Sequence, residues 1–320
     1  MPLLKVENLK MYYKTLRGYV KAVDDITFDV GKKEAVGLAG ESGCGKTSAA
    51  LTILRLLPWN AEIVGGSITL DGMDLAKISE RKLRKEIRWK KISMIFQGAM
   101  NALHPIYNIG QQITEAILTH EDISKKEALE RASELLELVG IEVEKINRYP
   151  HELSGGMKQR VVTAMALACN PALVIADEPT TALDVIVQAQ VLKVMKELQK
   201  KLDLSWILIT HDLSLIAETC HKAAIMYAGK IVEYGDVVTI FKAPLHPYTK
   251  KLITAFPSIV GSRSELSSIS GFPPDLLSPP KGCRFHPRCD QTMEICKTEE
   301  PLLKEETSKG HYTACHLYGG

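Results

Sequence analysis

Short, uninterrupted apolar runs recur along the chain and predict buried strands. They cover residues 35–39, 92–96, 173–176 and 206–209, and none shows a regular alternation with polar positions. A strand without such alternation is typical of a parallel sheet that helices cover on both faces. Segments with helical spacing lie between these runs, so the pattern predicts an α/β fold with a mostly parallel sheet at its core.

The segment between Gln97 and His151 has a different character. Residues 111–118 and 125–139 have helical spacing, and Ser124 is a suitable N-cap for the second helix. We expect no strand in this part of the chain. The pattern therefore predicts a helical subdomain that is inserted into the α/β core.

The two ends of the chain are predicted to differ from the core. Residues 4–30 alternate more strongly and predict an antiparallel β flap, which residues 66–70 could join. Beyond about Phe241 the core is expected to end, because residues 258–270 are rich in serine and residues 271–282 hold four prolines, as linkers do. The predicted divisions are the core with its flap at 1–97 and 153–240, the helical subdomain at 98–152, and a small C-terminal extension at 241–320.

Composition and charge limit the class of protein. The chain has 320 residues, of which 45% are hydrophobic and 24% charged, as in a soluble globular protein with more than one domain. A net charge of +2 gives no argument for nucleic acid, and we expect no nucleic-acid partner. No run approaches the roughly 20 apolar residues that span a bilayer, and charge enters the N-terminus too early for a secretory signal. We therefore expect a cytoplasmic protein that reaches a membrane only through a partner.

Residues 40–47 read Gly-Glu-Ser-Gly-Cys-Gly-Lys-Thr, a complete phosphate-binding loop between a predicted strand and a helix-forming run at 48–57. Small residues let successive backbone N–H groups turn toward phosphates, and the helix N-terminus adds positive potential. Lys46 is expected to reach the β- and γ-phosphates, and the Thr47 hydroxyl to bind Mg²⁺. The alternative is a glycine turn before an ordinary helix, but the strand–loop–helix context favours phosphate binding.

Chemically useful side chains follow the other three predicted strands, namely Gln97, then Asp177 and Glu178, then Thr210 and His211. Ligands bind beyond the carboxyl ends of parallel strands, so these groups are expected to converge over the nucleotide. Asp177 can hold Mg²⁺ through its water shell, and Glu178 can act as general base on the attacking water. Gln97 could orient water or metal, and His211 could donate to the γ-phosphate. A solvated turn and simple strand-end caps are the alternatives, and the shared placement favours function.

A second glycine motif, Leu-Ser-Gly-Gly-Met at 153–157, opens a further predicted helix with Ser154 as its N-cap. Gly155 and Gly156 weaken a helix start, but they let backbone N–H groups approach a phosphate closely. The chain already has one phosphate loop. We therefore infer that this second anion site serves a nucleotide held by another subunit.

Taken in order, these motifs resemble those of the ATP-binding-cassette (ABC) ATPases. The likeness covers about residues 3–240 and comprises Walker A at 40–47, the Q-loop at Gln97, the signature at 153–157, Walker B at 173–177, catalytic Glu178, the D-loop at 182–184 and the switch His211. The resemblance implies a P-loop NTPase cassette that hydrolyses ATP with Mg²⁺. It also implies that two cassettes close head to tail, the Walker A loop of one and the signature of the other completing each site.

The resemblance assigns a role to each motif residue. Tyr13 aligns with the aromatic residue that stacks on adenine, with Tyr12 or simple strand packing as the alternatives. The implied catalytic residues are Glu178, His211 and Gln97, and the implied Mg²⁺ ligands are Thr47, Gln97 and Asp177. The implied nucleotide contacts are Tyr13, Gly40, Glu41, Ser42, Gly43, Cys44, Gly45, Lys46, Thr47, Ser48, Gln97, Asp177 and His211, with Ser154, Gly155 and Gly156.

Two C-terminal stretches narrow the resemblance to oligopeptide and dipeptide importer ATPases. They are His-Pro-Tyr-Thr-Lys-Lys-Leu at 246–252 and Gly-Cys-Arg-Phe-His-Pro-Arg-Cys at 282–289. That group implies two membrane permease subunits, a sister ATPase or a second copy of this chain, and an extracytoplasmic solute-binding protein. It also implies a peripheral place on the cytoplasmic face of the cell membrane. Related importers carry nickel or oligosaccharides, and a soluble, non-transport ABC ATPase is the remaining alternative.

Cysteines are concentrated at the C-terminus of the chain. Four of the seven fall in the last forty residues, namely Cys283, Cys289, Cys296 and Cys315. The scattered Cys44, Cys169 and Cys220 are expected to be free thiols. The spacing of the four leaves structural Zn²⁺, an iron–sulfur cluster and unliganded thiols open. Related peptide-importer ATPases carry a [4Fe-4S] cluster on four such cysteines, so the resemblance favours that cluster over Zn²⁺, in a structural or regulatory role.

Overall fold

A computed structural model describes residues 1–181, 183–255, 269–307 and 310–318. Ala182 of the D-loop and most of the serine-rich stretch at 258–270 lie outside these residues. The strands of the described part are β1 (Leu4–Thr15), β2 (Gly18–Val30), β3 (Ala35–Ala39), β4 (Ala61–Leu70), β5 (Met73–Asp74), β6 (Ile92–Ile95), β7 (Leu173–Asp177), β8 (Ser205–Ile209), β9 (Lys222–Tyr227), β10 (Lys230–Asp236), β11 (Lys304–Thr307) and β12 (His311–Thr313). Its α-helices are α1 (Lys46–Ile53), α2 (Glu80–Lys82), α3 (Ile109–His120), α4 (Lys125–Leu138), α5 (Gly155–Ala166), α6 (Val185–Leu202), α7 (Leu213–Thr219), α8 (Val237–Lys242), α9 (Pro247–Thr254) and α10 (Glu294–Thr298). Shorter helical turns are π-helical at Leu83–Ile87 and 3₁₀ at Ala99–Ala102, Val143–Asn147, Pro150–Glu152 and His286–Arg288.

The predicted core strands are confirmed. β3 matches its prediction at both ends, while β6, β7 and β8 each differ from theirs by one residue at one end. The predicted helix at 48–57 was wrong at both ends, because α1 begins at Lys46 and stops at Ile53. Arg55 has a φ of +51°, a left-handed conformation that ends the helical path just beyond Leu54.

The chain divides into two compact units, and the first comprises Met1 with residues 30–34 and 77–208. Its strands lie in the order β8-β7-β6, and β6 is parallel to β7. Buried residues at helical spacing fill the facing sides of α3 and α4; they include Ile109, Ile113 and Ile117 on α3 and Ala128, Ala132 and Leu135 on α4. The Ser124 hydroxyl accepts the N–H of Glu127 at 3.2 Å, which confirms the predicted N-cap.

The second unit comprises residues 2–29, 35–76 and 209–320. One sheet has the order β2-β1-β4-β5, which confirms the antiparallel flap and lengthens its predicted 66–70 strand to the whole of β4. The other strands follow the order β11-β12-β10-β9-β3, with β3 parallel to β9. The C-terminal strand β12 therefore pairs with β10 and belongs to the same sheet as β3.

Aromatic packing joins the C-terminal residues to the interior of this second unit. Tyr227, Tyr248 and Phe285 are its largest fully buried side chains. Their ring centroids lie 4.7 to 5.4 Å apart, and edge-on contacts of this kind add to the gain from burial. Across the described residues, the helices are all too short or too polar to traverse a bilayer.

Candidate functional site

The predicted phosphate loop connects β3 to α1 in the second unit, and two of its glycines are sterically required. A Cβ atom on Gly40 would lie 2.1 Å from the carbonyl oxygen of Met226, and one on Gly45 would lie 2.0 Å from that of Ala22. Both glycines also have positive φ, at 150° and 108°. The loop therefore packs so closely on neighbouring backbone that no larger residue fits these two positions.

Lys46 is buried at the centre of this loop, with 6% of its surface exposed. Its Nζ donates to the carbonyl oxygens of Gly40 at 2.7 Å and of Glu41 at 3.0 Å. The next residue, Thr47, is exposed in the first turn of α1. The loop thus holds an ammonium group beside a helix N-terminus and an exposed hydroxyl, a combination suited to a phosphate with a bound cation.

The two neighbouring tyrosines of β1 have different surroundings. The Tyr13 hydroxyl lies 3.0 Å from the Ser48 hydroxyl, next to the start of α1. The Tyr12 hydroxyl donates to Asp24 at 2.6 Å, and Arg284 pairs with the same carboxylate. Burial and the neighbouring Asp24 raise the pKa of Tyr12. Tyr12 is thus tied to a structural pair while Tyr13 borders the loop, although the adenine contact itself stays a prediction.

In the first unit, the structure brings Gln97 and Glu178 together. The Gln97 amide donates to Glu178 Oε2 at 2.9 Å, and the Thr181 hydroxyl donates to the same oxygen at 3.0 Å. Glu178 has a φ of +46°, which turns the chain sharply just beyond β7. Asp177, at the end of β7, is 1% exposed. Gln97 and Thr181 thus both donate to the Glu178 carboxylate, which is proposed as the general base. The sequence analysis did not predict a role for Thr181.

The signature segment starts α5, also in the first unit. The Ser154 hydroxyl accepts the N–H of Met157 at 3.4 Å, which confirms the predicted N-cap. Gly156 is buried, and a Cβ atom there would lie 2.4 Å from Val187 Cγ1 of α6. The glycine at this position therefore has a packing role, in addition to the close phosphate approach expected from the sequence.

Replacing Gly156 with alanine is expected to lower the free energy of unfolding by about 1–3 kcal/mol, because the new methyl group overlaps Val187. Urea unfolding of the full chain measures this change. The double variant Gly156→Ala/Val187→Ala removes the overlapping methyl groups and should recover most of the loss. No recovery in the double variant would contradict the packing role.

The predicted site residues are divided between the two units. The phosphate loop, Tyr13 and the exposed His211 belong to the second unit, and Gln97, Glu178 and the signature belong to the first. Within the second unit Tyr13 contacts Ser48 beside the loop, and within the first unit Gln97 contacts Glu178. Their convergence on one nucleotide stays a prediction from the ends of the parallel strands.

The seven cysteines form no disulfide bonds. Burial raises the pKa of Cys169 to about 11 and that of Cys220 to about 12, so both stay protonated. Burial likewise raises the pKa of Cys283 to about 12, and the nearby Cys289, Cys296 and Cys315 add to the effect. Yet within the described ranges no three His, Cys, Asp or Glu side chains are arranged to hold a metal ion. The predicted metal cluster is therefore not shown by this arrangement.

Comparison with known proteins decides the family. Residues 23–181 match the model described as "ABC transporter", and residues 232–296 match "Oligopeptide/dipeptide transporter, C-terminal region". The oligopeptide transport ATP-binding protein OppD of Bacillus subtilis is 48% identical over 319 residues, which are 98% of this chain and 88% of that protein. The chain belongs to the ABC transporter family.

Other members of the ABC family agree with this assignment. The dipeptide transport ATP-binding protein DppD of Escherichia coli is 43% identical over 318 residues, covering 99% of this chain and 97% of that protein. Among solved structures, the ATP-binding cassette MJ0796, as a dimer in a post-hydrolysis state with ADP and Pi, matches with a TM-score of 0.65 and 26% identity, covering 73% of this chain and 98% of that one. The predicted fold, a P-loop cassette, is confirmed, and the chain is an ABC ATPase.

Two residues of this ABC cassette that contact the phosphate loop were missed in the sequence. Tyr248 and Arg288 both bind Glu41, from 207 and 247 residues further along the chain. They lie in the two stretches that resemble oligopeptide importer ATPases, 246–252 and 282–289. Both stretches were recognised in the sequence, but no contact with the phosphate loop was predicted for either residue. Contacts over such separations are set by the tertiary fold, and no local pattern predicts them.

Proposed function

We propose that this chain is the ATP-hydrolysing subunit of an importer for dipeptides or oligopeptides. The observation that carries the proposal is similarity along nearly the whole chain, including its C-terminal region, to proteins named as oligopeptide and dipeptide transport ATP-binding proteins. ATP binding and hydrolysis would drive the conformational changes of two membrane permeases. A solute-binding protein outside the membrane would deliver the peptide, and this chain would lie peripherally on the cytoplasmic face.

The proposed chemistry gives each predicted site residue a role. Lys46 binds the β- and γ-phosphates, and the loop N–H groups surround them. Thr47 and Asp177 supply the hydroxyl and carboxylate oxygens that Mg²⁺ prefers, and the ion neutralises phosphate charge when it is bound. Glu178, oriented by Gln97 and Thr181, accepts a proton from the attacking water. His211 donates to the γ-phosphate in the transition state.

The signature segment serves the nucleotide of a second ATPase in this proposal. Ser154, Gly155 and Gly156 begin α5, and the Ser154 and Gly155 side of this start is exposed. A helix N-terminus that begins at an exposed serine and an exposed glycine is a suitable anion site. The second ATPase is either another copy of this chain or a sister subunit.

Isolation of the intact assembly from membranes tests the proposed partners. We expect this chain to co-purify with two permeases, and vesicles containing the assembly to accumulate a labelled peptide only with ATP present. A matched assembly that carries Glu178→Gln serves as the control without turnover. Co-purification with ribosomes and no permease would contradict the proposal.

A [4Fe-4S] cluster on Cys283, Cys289, Cys296 and Cys315 is the finer proposal, with Zn²⁺ as the alternative. The 2.8 Å hydrogen bond from the Cys283 N–H to the Cys296 carbonyl oxygen supports it, because this bond holds two of the four cysteines next to each other. Anaerobically purified protein is expected to be brown with about four irons per chain, and Cys296→Ser to be colourless. Colourless wild-type protein with stoichiometric zinc would contradict iron.

A further inference from the structure

The Glu41 carboxylate, the second residue of the phosphate loop, is held by an arginine from the C-terminal extension. Arg288 Nη1 donates to Glu41 Oε2 at 2.7 Å, and Arg288 Nη2 donates to Oε1 at 2.9 Å. The arginine side chain is 5% exposed and the glutamate side chain 24%. A two-point guanidinium–carboxylate pair of this kind fixes both the distance and the orientation of its partner.

The backbone of Glu41 is fixed as well. Its N–H donates to the Tyr248 hydroxyl at 2.9 Å, and its carbonyl oxygen accepts the Lys46 ammonium at 3.0 Å. Tyr248 is fully buried in its aromatic cluster, so its oxygen has a set position. Three independent contacts therefore determine where this peptide of the loop lies, and two of them come from beyond residue 241.

Arg288 is itself anchored. Its Nε donates to the Ser270 carbonyl at 2.9 Å, and Lys251 donates to the Arg288 carbonyl at 3.0 Å. Lys251 and Tyr248 both belong to α9, so this helix contacts the arginine at one point and the loop at another. A side chain that is held at both ends can transmit its position to Glu41.

The start of α9 is attached to the C-terminal strand. The Glu233 carboxylate accepts the N–H groups of Leu245 and His246 at 2.8 and 2.9 Å, and His311 of β12 lies 2.7 Å from the same carboxylate. Glu233 is fully buried and His311 is 2% exposed. Hydrogen bonds thus connect β12 to α9, and α9 to the phosphate loop, entirely within the second unit.

We propose that Arg288 and Tyr248 are positioning residues for the phosphate loop, so that the C-terminal extension sets the affinity of this chain for ATP. The inference rests on the proposed nucleotide role of the loop. The Lys46 ammonium is bonded to the Gly40 and Glu41 carbonyls, so a shift of this peptide moves the group that meets the phosphates. A displaced binding group weakens the ground state and the transition state alike, which raises KM and leaves kcat nearly unchanged.

Two conservative substitutions in the full chain test the proposal. Tyr248→Phe keeps the ring and its packing but removes the acceptor of the Glu41 N–H, and Arg288→Lys keeps the charge but removes the two-point pair. We expect each to raise KM and the Kd for a fluorescent ATP analogue by roughly tenfold, with kcat within about twofold of wild type. A role in stability alone would lower Tm and leave KM and Kd unchanged.

Tyr234→Phe is a matched control. It also removes the hydroxyl of a buried tyrosine in the second unit, and that hydroxyl donates to the Asp29 carbonyl oxygen at 2.9 Å. Its KM for ATP should equal that of wild type. In a Glu41→Gln background, Arg288→Lys should add less than about a twofold change, because its effect acts through Glu41.

The outcomes separate this inference from the proposed function. Wild-type affinity in both Tyr248→Phe and Arg288→Lys would overturn the positioning role, as would an equal loss in Tyr234→Phe. Failure of the wild-type chain itself to bind the ATP analogue would overturn the proposed function instead. A rise in KM confined to the two positioning variants supports the inference.

Discussion

Replacing Glu178 with glutamine is expected to lower kcat for ATP by roughly 100-fold or more while ATP still binds. The substitution removes the carboxylate that is proposed to accept the proton of the attacking water. Its shape is nearly unchanged, and its amide oxygen can still accept from Gln97 and Thr181, which hold the carboxylate at 2.9 and 3.0 Å. KM should therefore stay close to that of wild type, and turnover should fall through kcat alone.

Release of phosphate under saturating Mg-ATP measures this effect. Glu197→Gln is a matched control, because Glu197 is exposed on α6 and only loosely paired with Lys193, at 4.0 Å. The control should retain wild-type turnover. Undiminished turnover in Glu178→Gln would refute Glu178 as the general base.

Replacing Lys46 with methionine is expected to weaken ATP binding by roughly 10- to 100-fold, the range for losing a charged hydrogen-bond partner. The ammonium is buried within the loop and bonded to the Gly40 and Glu41 carbonyls, so it needs little reorganisation to meet a phosphate. The methionine has a similar volume and keeps the packing, but it offers no donor. The value of kcat/KM should fall together with the affinity, since the same ammonium group faces the phosphate in the transition state.

Isothermal titration with Mg-ATP checks the second prediction. Lys5→Met removes a lysine charge from the same unit at a side chain that is 51% exposed, and it should leave the affinity unchanged. If Lys46→Met and wild type bound Mg-ATP with equal affinity, Lys46 would not bind the phosphates as proposed.

Local pattern was sufficient to predict much of this fold. The apolar run at 35–39 became β3 without change, and the run at 173–176 became β7 with Asp177 as its last residue. Ser124 and Ser154 cap the predicted helices because a cap depends on residues only three positions apart. The glycine loop was also recognisable from its sequence, and its glycines permit the positive φ angles found at Gly40 and Gly45.

Other features depend on tertiary contacts that no local pattern contains. The pairing of β12 with β10 joins segments about 80 residues apart, and Arg288 meets Glu41 across 247 residues. The packing reason for Gly156 became visible only with Val187 of α6 beside it. The D-loop residue Ala182 and the 258–268 part of the serine-rich stretch lie outside the described residues, so those predictions stand as made.

Cross-linking between two ATPase molecules tests most directly whether each ATP is enclosed by two chains. One molecule carries Ser42→Cys and the other Ser154→Cys, and both carry Glu178→Gln. In the isolated importer, each cysteine variant of this chain is also paired with a sister ATPase that carries a cysteine at the complementary position. With Mg-ATP and a short cross-linker, mass spectrometry should find a joined pair of peptides containing residues 42 and 154, which the single variants lack. Absence of that pair in every combination, with ATP bound, would contradict the shared site.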